Sequence, residues 1–369
     1  MGLYAAFLRT ILFRLNPETA HRFTVEACRI AGLVPLVPQL SRASLEYSAP
    51  ELETEVAGLR FTNPIGLAAG WDKSGRALKM LDHLGFGFAE IGSISARPSV
   101  GNPKPRLFRL PQEHSIIVNY GLPNDGAEVV AGRLAAHRSR APLGVNIVMT
   151  NDGDGAPPCG ADDILEDYAR SIALVWRFAS YLSLNLSCPN AKSGQDFFTS
   201  PGSIALLLER LKLLNIGCPV FLKVAPNPEP AAMERLVAET EPFDFVRGFN
   251  FNLPAGKPST LRFSTPQANW KKMPGAVAGR PVSQLINHCI GELYQRMPCG
   301  RFVIIGAGGV FNAEDAYLKI GLGASLVQIY TAMIYEGPSV VKQINRGLTS
   351  LLKRDGFSHV SQAVGTRIR

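Results

Sequence analysis

The sequence predicts an α/β fold, specifically a (β/α)8 TIM barrel with an N-terminal two-helix extension. From about Ser48 onward, short β-rich runs alternate with helical segments, and eight such units over roughly 300 residues fit this barrel. Runs such as Phe302–Gly306 and Ser325–Tyr330 are apolar on both faces, as buried parallel strands are. A doubly wound sheet is the alternative, but it would leave some of these units unplaced.

The first part of the chain predicts two short apolar helices. The first 15 residues carry only two charged side chains, Arg9 and Arg14. Asn16 followed by Pro17 indicates a helix start, because Asn caps free N–H groups and Pro suits the first turn. A second apolar helix then covers roughly Glu18–Ala31. Such helices either lie on a membrane or pack on the main body, and the residues leave both interpretations open.

We place this extension at residues 1–45 and the barrel at residues 46–369. The eight strands are expected at Ile65–Ala69, Phe88–Gly92, Leu143–Ile147, Tyr181–Ser187, Pro219–Val224, Phe243–Asn250, Phe302–Gly306 and Ser325–Tyr330. Helices are expected at Lys73–Leu84, Ala127–His137, Ile164–Ala179, Ser203–Leu214, Ala231–Glu239, Val282–Arg296, Ala313–Ile320 and Ser339–Lys353. The segment Asn252–Ala278 lacks periodicity and is predicted to be a long loop near the site.

Composition excludes several classes of protein. The 369 residues are 46% apolar and 18% charged, which is typical of a globular protein and not of a disordered one. The net charge of +8 is not gathered into a Lys/Arg run, so we expect no nucleic acid partner. We expect it to serve a membrane surface, with Arg9 and Arg14 meeting lipid headgroups. Six cysteines without a C-x-x-C pair predict no disulfide framework.

Polar residues end the predicted strands, and in a barrel these ends meet at one mouth where ligands bind. They include two lysines, several asparagines and one cysteine: Lys73, Asn146, Asn185, Cys188, Lys223 and Asn250. Carboxylates are nearly absent there apart from Asp72, which argues against glycoside hydrolysis. No His/Asp/Glu cluster offers ligands, so we expect no metal.

A glycine-rich turn, Gly306–Gly309, lies between the seventh strand and the helix at Ala313. In this fold that turn commonly binds phosphate through backbone N–H groups at a helix N-terminus. A phosphate site combined with two lysines and several amides suits flavin mononucleotide (FMN), since a lysine near the electron-rich end of the ring stabilises the reduced flavin.

The sequence resembles the dihydroorotate dehydrogenases, specifically the membrane-associated class that uses quinone. The resemblance covers nearly the whole chain. It is carried by NPETAHRFT (Asn16–Thr24), NPIGLAAGWDKSG (Asn63–Gly75), FAEIGSISARPSVGNPKPRLFRL (Phe88–Leu110), NLSCPN (Asn185–Asn190), LKVAP (Leu222–Pro226), AGRP (Ala278–Pro281), IIGAGGV (Ile304–Val310) and GASLVQIYTAMIYEGP (Gly323–Pro338).

The resemblance implies roles for particular residues. The positions that match flavin contacts are Ala69, Gly70, Lys73, Ser93, Asn146, Asn185, Lys223, Gly279, Gly308, Gly309, Tyr330 and Thr331. Those implied to bind the pyrimidine substrate are Lys73, Asn119, Asn185, Asn190 and Asn250. His21 and Arg109 match residues lining the quinone entrance. Without the resemblance, we would interpret His21 as a packed helix residue and Arg109 as part of a surface salt bridge.

The implied reaction has two halves. A base removes the C5 proton of dihydroorotate while a hydride passes from C6 to the flavin, and quinone then reoxidises the flavin. Cys188 occupies the position of the base, where the membrane-associated class has Ser. A thiol suits this role, since its ordinary pKa of about 8.5 lies nearer neutrality than that of a hydroxyl.

The resemblance also implies how the enzyme is placed in the cell. Its helical extension would form a hydrophobic, membrane-docked tunnel that leads quinone to the flavin. The enzyme would be a peripheral membrane protein at the cytoplasmic face of the inner membrane, would act in pyrimidine biosynthesis and would be a monomer. Its partners would be a small dihydropyrimidine, a quinone and the membrane surface.

Three segments depart from the family pattern. In an alignment without a gap, the family's substrate asparagine corresponds to Val118; with a shift of one residue it corresponds to Asn119. The loop after Asn146 lacks the family's Gly and Lys. Phe249 and Phe251 replace two hydroxyl residues, and Phe251 is expected to enter the substrate position. These changes keep two alternatives open: an FMN-dependent paralogue acting on another dihydropyrimidine-like or more apolar substrate, and a non-catalytic barrel relative.

Overall fold

The computed structural model describes residue 4 and residues 8–153, 156, 159–187 and 197–368 of the chain. A closed barrel of eight parallel strands forms its centre, so the predicted TIM barrel is confirmed. Each expected barrel strand is present to within three residues of its predicted bounds. The buried apolar runs seen in the sequence therefore correspond to strands covered on both faces.

Within the described residues, the strands are β1 (Thr54–Val56), β2 (Leu59–Phe61), β3 (Ile65–Leu67), β4 (Phe88–Ile94), β5 (Leu107–Leu110), β6 (Ser115–Val118), β7 (Leu143–Ile147), β8 (Tyr181–Asn185), β9 (Val220–Val224), β10 (Val246–Phe251), β11 (Ala276–Gly279), β12 (Val303–Gly306) and β13 (Ala324–Ile329). The α-helices are α1 (Arg9–Arg14), α2 (Pro17–Leu33), α3 (Val37–Leu45), α4 (Leu78–Leu81), α5 (Ala127–Ala135), α6 (Ala161–Val175), α7 (Ser203–Lys212), α8 (Pro230–Thr240), α9 (Ser283–Arg296), α10 (Ala313–Gly321), α11 (Thr331–Glu336) and α12 (Val340–Arg354).

The barrel strands follow the order β3–β4–β7–β8–β9–β10–β12–β13, and the last pairs with the first. All eight pairings are parallel, so their carboxyl ends open on one mouth. The antiparallel hairpin β1–β2 contributes Val56 and Phe61 to a cluster with residues of the barrel interior: Phe88, Tyr181, Phe221, Ile305 and Leu326. The amino end of the barrel is therefore a packed floor.

Glycines inside the barrel make room for the aromatic rings of this floor. A Cβ atom on Gly66 would lie 2.3 Å from Cζ of Phe88, and one on Gly144 would lie 2.2 Å from Cζ of Tyr181. Both distances are too short for any pair of non-bonded carbon atoms. Glycine positions thus alternate with large aromatic rings, and together they fill the layer without gaps.

The start of α2 agrees with the sequence. The Asn16 side chain accepts hydrogen bonds from the backbone N–H groups of Glu18 and Thr19, and Pro17 occupies the first turn. The extension has a further helix, α3, so the expectation of two helices is wrong. Pro38, which interrupts an apolar stretch of the sequence, lies in the first turn of α3, where proline costs no hydrogen bond.

Helices α2 and α3 meet at an angle of 113°. Among the described helices, none is long and apolar enough by itself to cross a membrane, and this bent pair passes such a test only by length and composition.

A buried ion pair fixes α2 to the barrel. The Arg106 guanidinium donates to the Glu18 carboxylate at 2.8 Å, and both side chains are only 10% exposed. Arg106 also donates to the carbonyl oxygens of Val100 and Asn102. A buried pair with its remaining donors satisfied specifies one geometry, so the face of α2 that meets the barrel is set.

Several elements differ from the sequence-based expectation. The helix predicted at Lys73–Leu84 is reduced to α4, because the Asp72 carboxylate accepts hydrogen bonds from the backbone N–H groups of Ser74, Arg76 and Ala77 and holds a turn there. Strands β5, β6 and β11 form a separate antiparallel sheet, and β11 lies at the end of the predicted loop. Helix α11 directly after β13 was not expected.

Substituting Gly144→Ala should lower the free energy of unfolding by about 1–3 kcal/mol, because the added methyl group displaces the Tyr181 ring from a filled layer. Gly132→Ala is the matched control: Gly132 lies exposed in α5, and a Cβ atom added there would have no neighbour within 4 Å. At that position, alanine should stabilise the protein by up to about 1 kcal/mol. Chemical denaturation of both variants tests this, and equal effects of the two would contradict the packed floor.

Candidate active site

A cavity opens at the mouth of the barrel, with an empty volume of about 1180 Å³ that includes space open to solvent. Eleven of the twelve residues expected to contact a flavin line it: Ala69, Gly70, Lys73, Ser93, Asn185, Lys223, Gly279, Gly308, Gly309, Tyr330 and Thr331. The twelfth, Asn146, lies beneath the cavity, where it accepts a hydrogen bond from the Ser93 hydroxyl and donates to Glu90 and Ser183. The structure thus brings these sequence-predicted residues together at one site.

The glycine-rich turn after β12 forms one end of the cavity. Gly308 and Gly309 adopt φ angles of 78° and 75°, a left-handed conformation that favours glycine. A Cβ atom on Gly308 would lie 2.4 Å from Ile286 of α9. The backbone therefore passes close to α9 and leads into α10, whose start is capped by the Asn312 side chain. Such a turn exposes backbone N–H groups to an anionic ligand.

Lys223, one of two charged residues among the described lining of the cavity, has a carboxylate partner. Its Nζ atom lies 3.2 Å from Oε1 of Glu90, inside the barrel. Glu90 also accepts hydrogen bonds from Asn146, from Tyr181 and from Gln328, at 3.0, 3.3 and 2.9 Å. Burial, together with the contact with Glu90, raises the pKa of the Tyr181 hydroxyl well above its ordinary value. The charge of Lys223 is therefore compensated and fixed in place.

Lys73, the other lining lysine, has a different environment. Its Nζ atom donates to the Gly70 carbonyl oxygen at 2.9 Å and lies 4.0 Å from the centre of the Tyr120 ring. Among the described residues, no carboxylate comes within 4.0 Å of it to form an ion pair. Burial lowers the pKa of Lys73 to about 7; the negative charges of Glu18 and Asp72 oppose this shift, and the positive charge of Arg106 adds to it.

Two asparagines meet at the mouth, and one of them was not the residue expected. Asn252 donates to the Asn185 side-chain oxygen at 2.8 Å, and Asn185 donates to the Ser93 hydroxyl at 3.2 Å. Asn250 instead lies deeper in the barrel, where it donates to Gln328 at 2.7 Å and does not line the cavity. Residues two apart on a strand share a face but are about 6.6 Å apart along it, so only Asn252 reaches the mouth.

Asn119 also lies outside the lining of the cavity. It accepts a hydrogen bond from the Asn102 side chain at 3.1 Å. On β6, Ile116 and Val118 line the cavity, while Ile117 between them does not. The apolar side chain of Val118 therefore lies on the cavity wall, and Asn119 lies outside it.

The two phenylalanines of β10 differ in position. Phe249 is fully buried and packs on Phe302, with ring centres 5.0 Å apart, and does not line the cavity. Phe251 is a buried part of the cavity wall. The replacement of a hydroxyl residue by Phe249 therefore does not alter the lining of the cavity. The replacement by Phe251 makes one wall of the cavity more apolar.

A second cavity, with an empty volume of about 840 Å³, lies between the extension and the barrel. His21 and Arg109 both line it, as expected of a quinone entrance. Arg109 forms no salt bridge among the described residues; it donates to the carbonyl oxygens of Leu12, Phe13 and Leu15 at the end of α1. Ile116 and Tyr330 line both cavities, so the two spaces share a wall.

Two expected site residues, Cys188 and Asn190, lie outside the described residues. Among the described thiols, burial raises the pKa of Cys28 and Cys218 to about 11 and that of Cys289 to about 12, so these are unreactive near neutrality. The described ranges contain no group of three or more His, Cys, Asp or Glu side chains placed to hold a metal ion.

Sequence reasoning missed Glu90, Gln328 and Asn252. Glu90 and Gln328 each interrupt an otherwise apolar strand, which is a usable signal because an unpaired buried carboxylate is very costly. Asn252 follows β10 on the same face as Asn250. Which of the two asparagines reaches the mouth depends on where the strand ends, and the sequence does not give that position.

Comparison with known proteins gives a consistent result. The family model described as dihydroorotate dehydrogenase matches residues 51–352. A protein of Roseiflexus sp. (strain RS-1) named dihydroorotate dehydrogenase (quinone) is 36% identical over 372 aligned positions, covering 100% of this chain and 99% of that protein. One of the same name from Sphingopyxis alaskensis is 37% identical over 366 positions, covering 98% and 96%.

Solved structures from Eimeria tenella agree in fold. The structure described as DHODH in complex with ferulenol has a TM-score of 0.81 at 30% identity and covers 95% of both chains. The ligand-free form has a TM-score of 0.82 at 29% identity, covering 96% of this chain and 99% of that one.

Substituting Glu90→Gln should destabilise the protein by about 3–5 kcal/mol, because it leaves the buried Lys223 ammonium without its counter-charge. Adding Lys223→Met should recover part of this loss, since the uncompensated charge is then gone. Glu55→Gln is the control, because Glu55 pairs with Arg60 at 3.8 Å on the surface. Urea unfolding measures all three, and a loss for Glu90→Gln no larger than for Glu55→Gln would disprove the role of this carboxylate.

Proposed function

The chain belongs to the dihydroorotate dehydrogenase family, and from this membership we propose that it oxidises dihydroorotate to orotate with FMN as its flavin and a quinone as electron acceptor. The observation that carries the proposal is the pair of adjoining cavities. One has the phosphate turn, lysines and amides that FMN and an anionic pyrimidine need, and the other is lined mainly by apolar residues, which come from both the extension and the barrel.

The residues of the first cavity fit FMN. Two lysines and no carboxylate occur among its described lining residues, so the cavity favours an anionic ligand. The turn at Gly308 and Gly309 offers backbone N–H groups to a phosphate, and the apolar walls suit a flat aromatic ring. When bound, FMN supplies a ring that accepts a hydride from the substrate and passes the electrons on to quinone.

The protein's own groups bind and orient the substrate. Asn185 and Asn252 are held by hydrogen bonds to each other and to Ser93, which presents them at the mouth in one orientation. Lys73 and Lys223 provide the positive charge that an orotate carboxylate or a reduced flavin requires. We propose that the amide of Asn252 binds the substrate, in place of those of Asn250 and Asn119. Asn190, which the sequence motif implies, is proposed as a further substrate-binding amide.

Cys188 is proposed as the base. In the sequence it comes directly after Ser187 and three residues after Asn185, the last residue of β8. Its thiolate would take the C5 proton of dihydroorotate while the amides hold the ring, and solvent would receive that proton afterwards. This assignment rests on the sequence motif NLSCPN.

The second cavity is proposed as the quinone site. His21 and Arg109 are polar residues in its lining. Tyr330 and Ile116 lie between it and the flavin cavity. Because the same two side chains line both cavities, ligands bound in the two cavities would lie close together but in separate sites. Residues 4–28 contribute eight of the seventeen residues that line this cavity, which is consistent with an extension, residues 1–45, that serves as a quinone tunnel.

We further propose that the extension docks on a membrane, at the cytoplasmic face of the inner membrane. Nine of the fifteen large apolar residues exposed on the described protein lie within residues 8–40. Residues 1–45 also contain five arginines and two glutamates, and an excess of positive charge favours anionic lipids. Arg14 is exposed there, whereas Arg9, expected to meet headgroups, donates to the Tyr335 carbonyl oxygen at 3.0 Å.

The proposed function is tested with the purified protein. It should be yellow, anaerobic dihydroorotate should bleach its flavin absorbance, and a quinone should restore it. A colourless protein that cannot be reconstituted with FMN would contradict the proposal. The alternatives, a changed substrate or a non-catalytic barrel, are not favoured, since relatives named dihydroorotate dehydrogenase (quinone) match 98–100% of this chain.

Replacing Cys188→Ala should slow anaerobic flavin reduction by dihydroorotate about a hundredfold or more, because the C5 proton loses its acceptor. Cys188→Ser should retain part of the rate and require higher pH, since a hydroxyl ionises far less readily than a thiol. Stopped-flow absorbance measures both. Cys299→Ala, which removes an exposed thiol before β12, is the control and should leave the rate unchanged. An unaltered rate in Cys188→Ala would rule the base out.

The membrane proposal predicts the effect of single leucines. Leu40 in α3 is 67% exposed, and burial of a leucine side chain contributes roughly 1.5–3 kcal/mol. Leu40→Ser should therefore reduce co-sedimentation with anionic phospholipid vesicles by roughly tenfold. Leu213→Ser alters a leucine that is 76% exposed next to α7 and should have no effect. Equal losses for the two variants would speak against docking through the extension.

A further inference from the structure

A contact between the extension and the barrel joins the two cavities chemically. Lys73 lines the first cavity and His21 of α2 lines the second. The Lys73 Nζ atom lies 3.5 Å from the His21 Nδ1 atom. This is the point where a side chain from residues 1–45 touches a charged group of the candidate flavin site.

The ring orientation of His21 is determined by its second nitrogen. Nε2 lies 2.8 Å from the Trp71 carbonyl oxygen, which can only accept a hydrogen bond. Nε2 therefore carries the hydrogen, and in the neutral ring Nδ1 is left with a lone pair. Burial and the charge of Lys73 lower the pKa of His21 well below its ordinary value, so the ring is neutral at physiological pH. His21 thus offers Lys73 an acceptor and no charge.

Lys73 depends on such neutral partners more than Lys223 does. Lys223 has the Glu90 carboxylate, whereas the acids nearest to Lys73 are already engaged. Glu18 is paired with Arg106, and Asp72 accepts hydrogen bonds from three backbone N–H groups. Their charges still raise the pKa of Lys73 from a distance, but the groups in direct contact with the amine are the Gly70 carbonyl oxygen, the Tyr120 ring and His21 Nδ1.

The charged form of Lys73 gains most from these contacts. An ammonium donates a stronger hydrogen bond than a neutral amine and is also attracted to an aromatic face. The Arg106 guanidinium lies 5.4 Å from the centre of the same Tyr120 ring and opposes the charge on Lys73. Loss of an acceptor at this buried amine therefore favours its neutral form.

We propose that His21 is a positioning residue that favours the protonated form of Lys73 and directs its side chain at the flavin cavity, so that docking of α2 on the barrel raises the fraction of charged Lys73 beside the flavin. The flavin part of this inference rests on the proposed function. The Glu18–Arg106 pair lies one turn before His21 on the same helix and fixes the position from which His21 reaches Lys73. An extension that moved away from the barrel would withdraw the acceptor from Lys73.

The test compares two variants that each keep one nitrogen position of the ring. His21→Asn retains an acceptor near the place of Nδ1, whereas His21→Gln retains only a group near the place of Nε2. ¹³C-lysine NMR of the protein, with Lys73→Met to assign the resonance, measures the pKa of Lys73 without needing a flavin. We expect ionisation near pH 7 in the wild type, a pKa about one unit lower in His21→Gln, and recovery in His21→Asn.

A second measurement addresses the flavin. In the FMN-loaded protein, His21→Gln should lower the midpoint potential of the flavin at pH 7 and His21→Asn should not, because less positive charge remains to stabilise the reduced form. If His21→Gln does not fold, His21→Phe fills the ring space without an acceptor and serves in its place.

An unchanged Lys73 pKa in His21→Gln would overturn the proposal, as would a shifted pKa with an unchanged flavin potential. A protein that takes up no FMN would contradict the proposed function instead, and the NMR titration would still decide whether His21 favours the charged form of Lys73.

Discussion

One buried carboxylate organises the interior of the barrel. Glu90 on β4 accepts hydrogen bonds or an ion pair from β7, β8, β9 and β13, so five of the eight strands are connected through a single side chain. The partners occupy its oxygens fully, which offsets the cost of removing a charge from water. Above this layer lie Lys223, Ser93 and Asn185, whose positions at the mouth follow from it. The ligand site therefore lies directly above the polar layer around Glu90, and this layer lies above the packed floor of the barrel.

The strands could be predicted because buried parallel strands leave a plain signal, an apolar run of fixed length, and all eight were found. What the sequence did not reveal depends on contacts between distant segments. The turn at Asp72 replaces a predicted helix because one carboxylate binds three backbone N–H groups, and β11 joins β6 across more than 150 residues of chain. Most of the expected flavin residues line the cavity, since they end strands. Asn250 and Asn119 do not, because a displacement of one or two residues along a strand turns a side chain away or lowers it below the mouth.

The two lysines of the site show how position determines chemistry. Both are buried beside the same cavity, yet one has a carboxylate at 3.2 Å and the other has a carbonyl oxygen, an aromatic ring and a neutral imidazole. The charge of a lysine beside a carboxylate is compensated, whereas a lysine with neutral partners responds to small changes around it. The second arrangement exists only where α2 meets the barrel. The extension is thereby part of the chemistry of the mouth as well as a wall of the neighbouring cavity.

The shared wall of Ile116 and Tyr330 has a kinetic consequence. Two ligands that enter separate cavities do not compete for space, so the electron donor and the electron acceptor can exchange with their own surroundings independently. One surrounding is aqueous and the other is the apolar face of the extension. Under the proposed function, a molecule arranged in this way joins a water-soluble pool of substrate to a lipid-soluble pool of quinone, and the throughput of each half can be altered by changes in its own cavity alone.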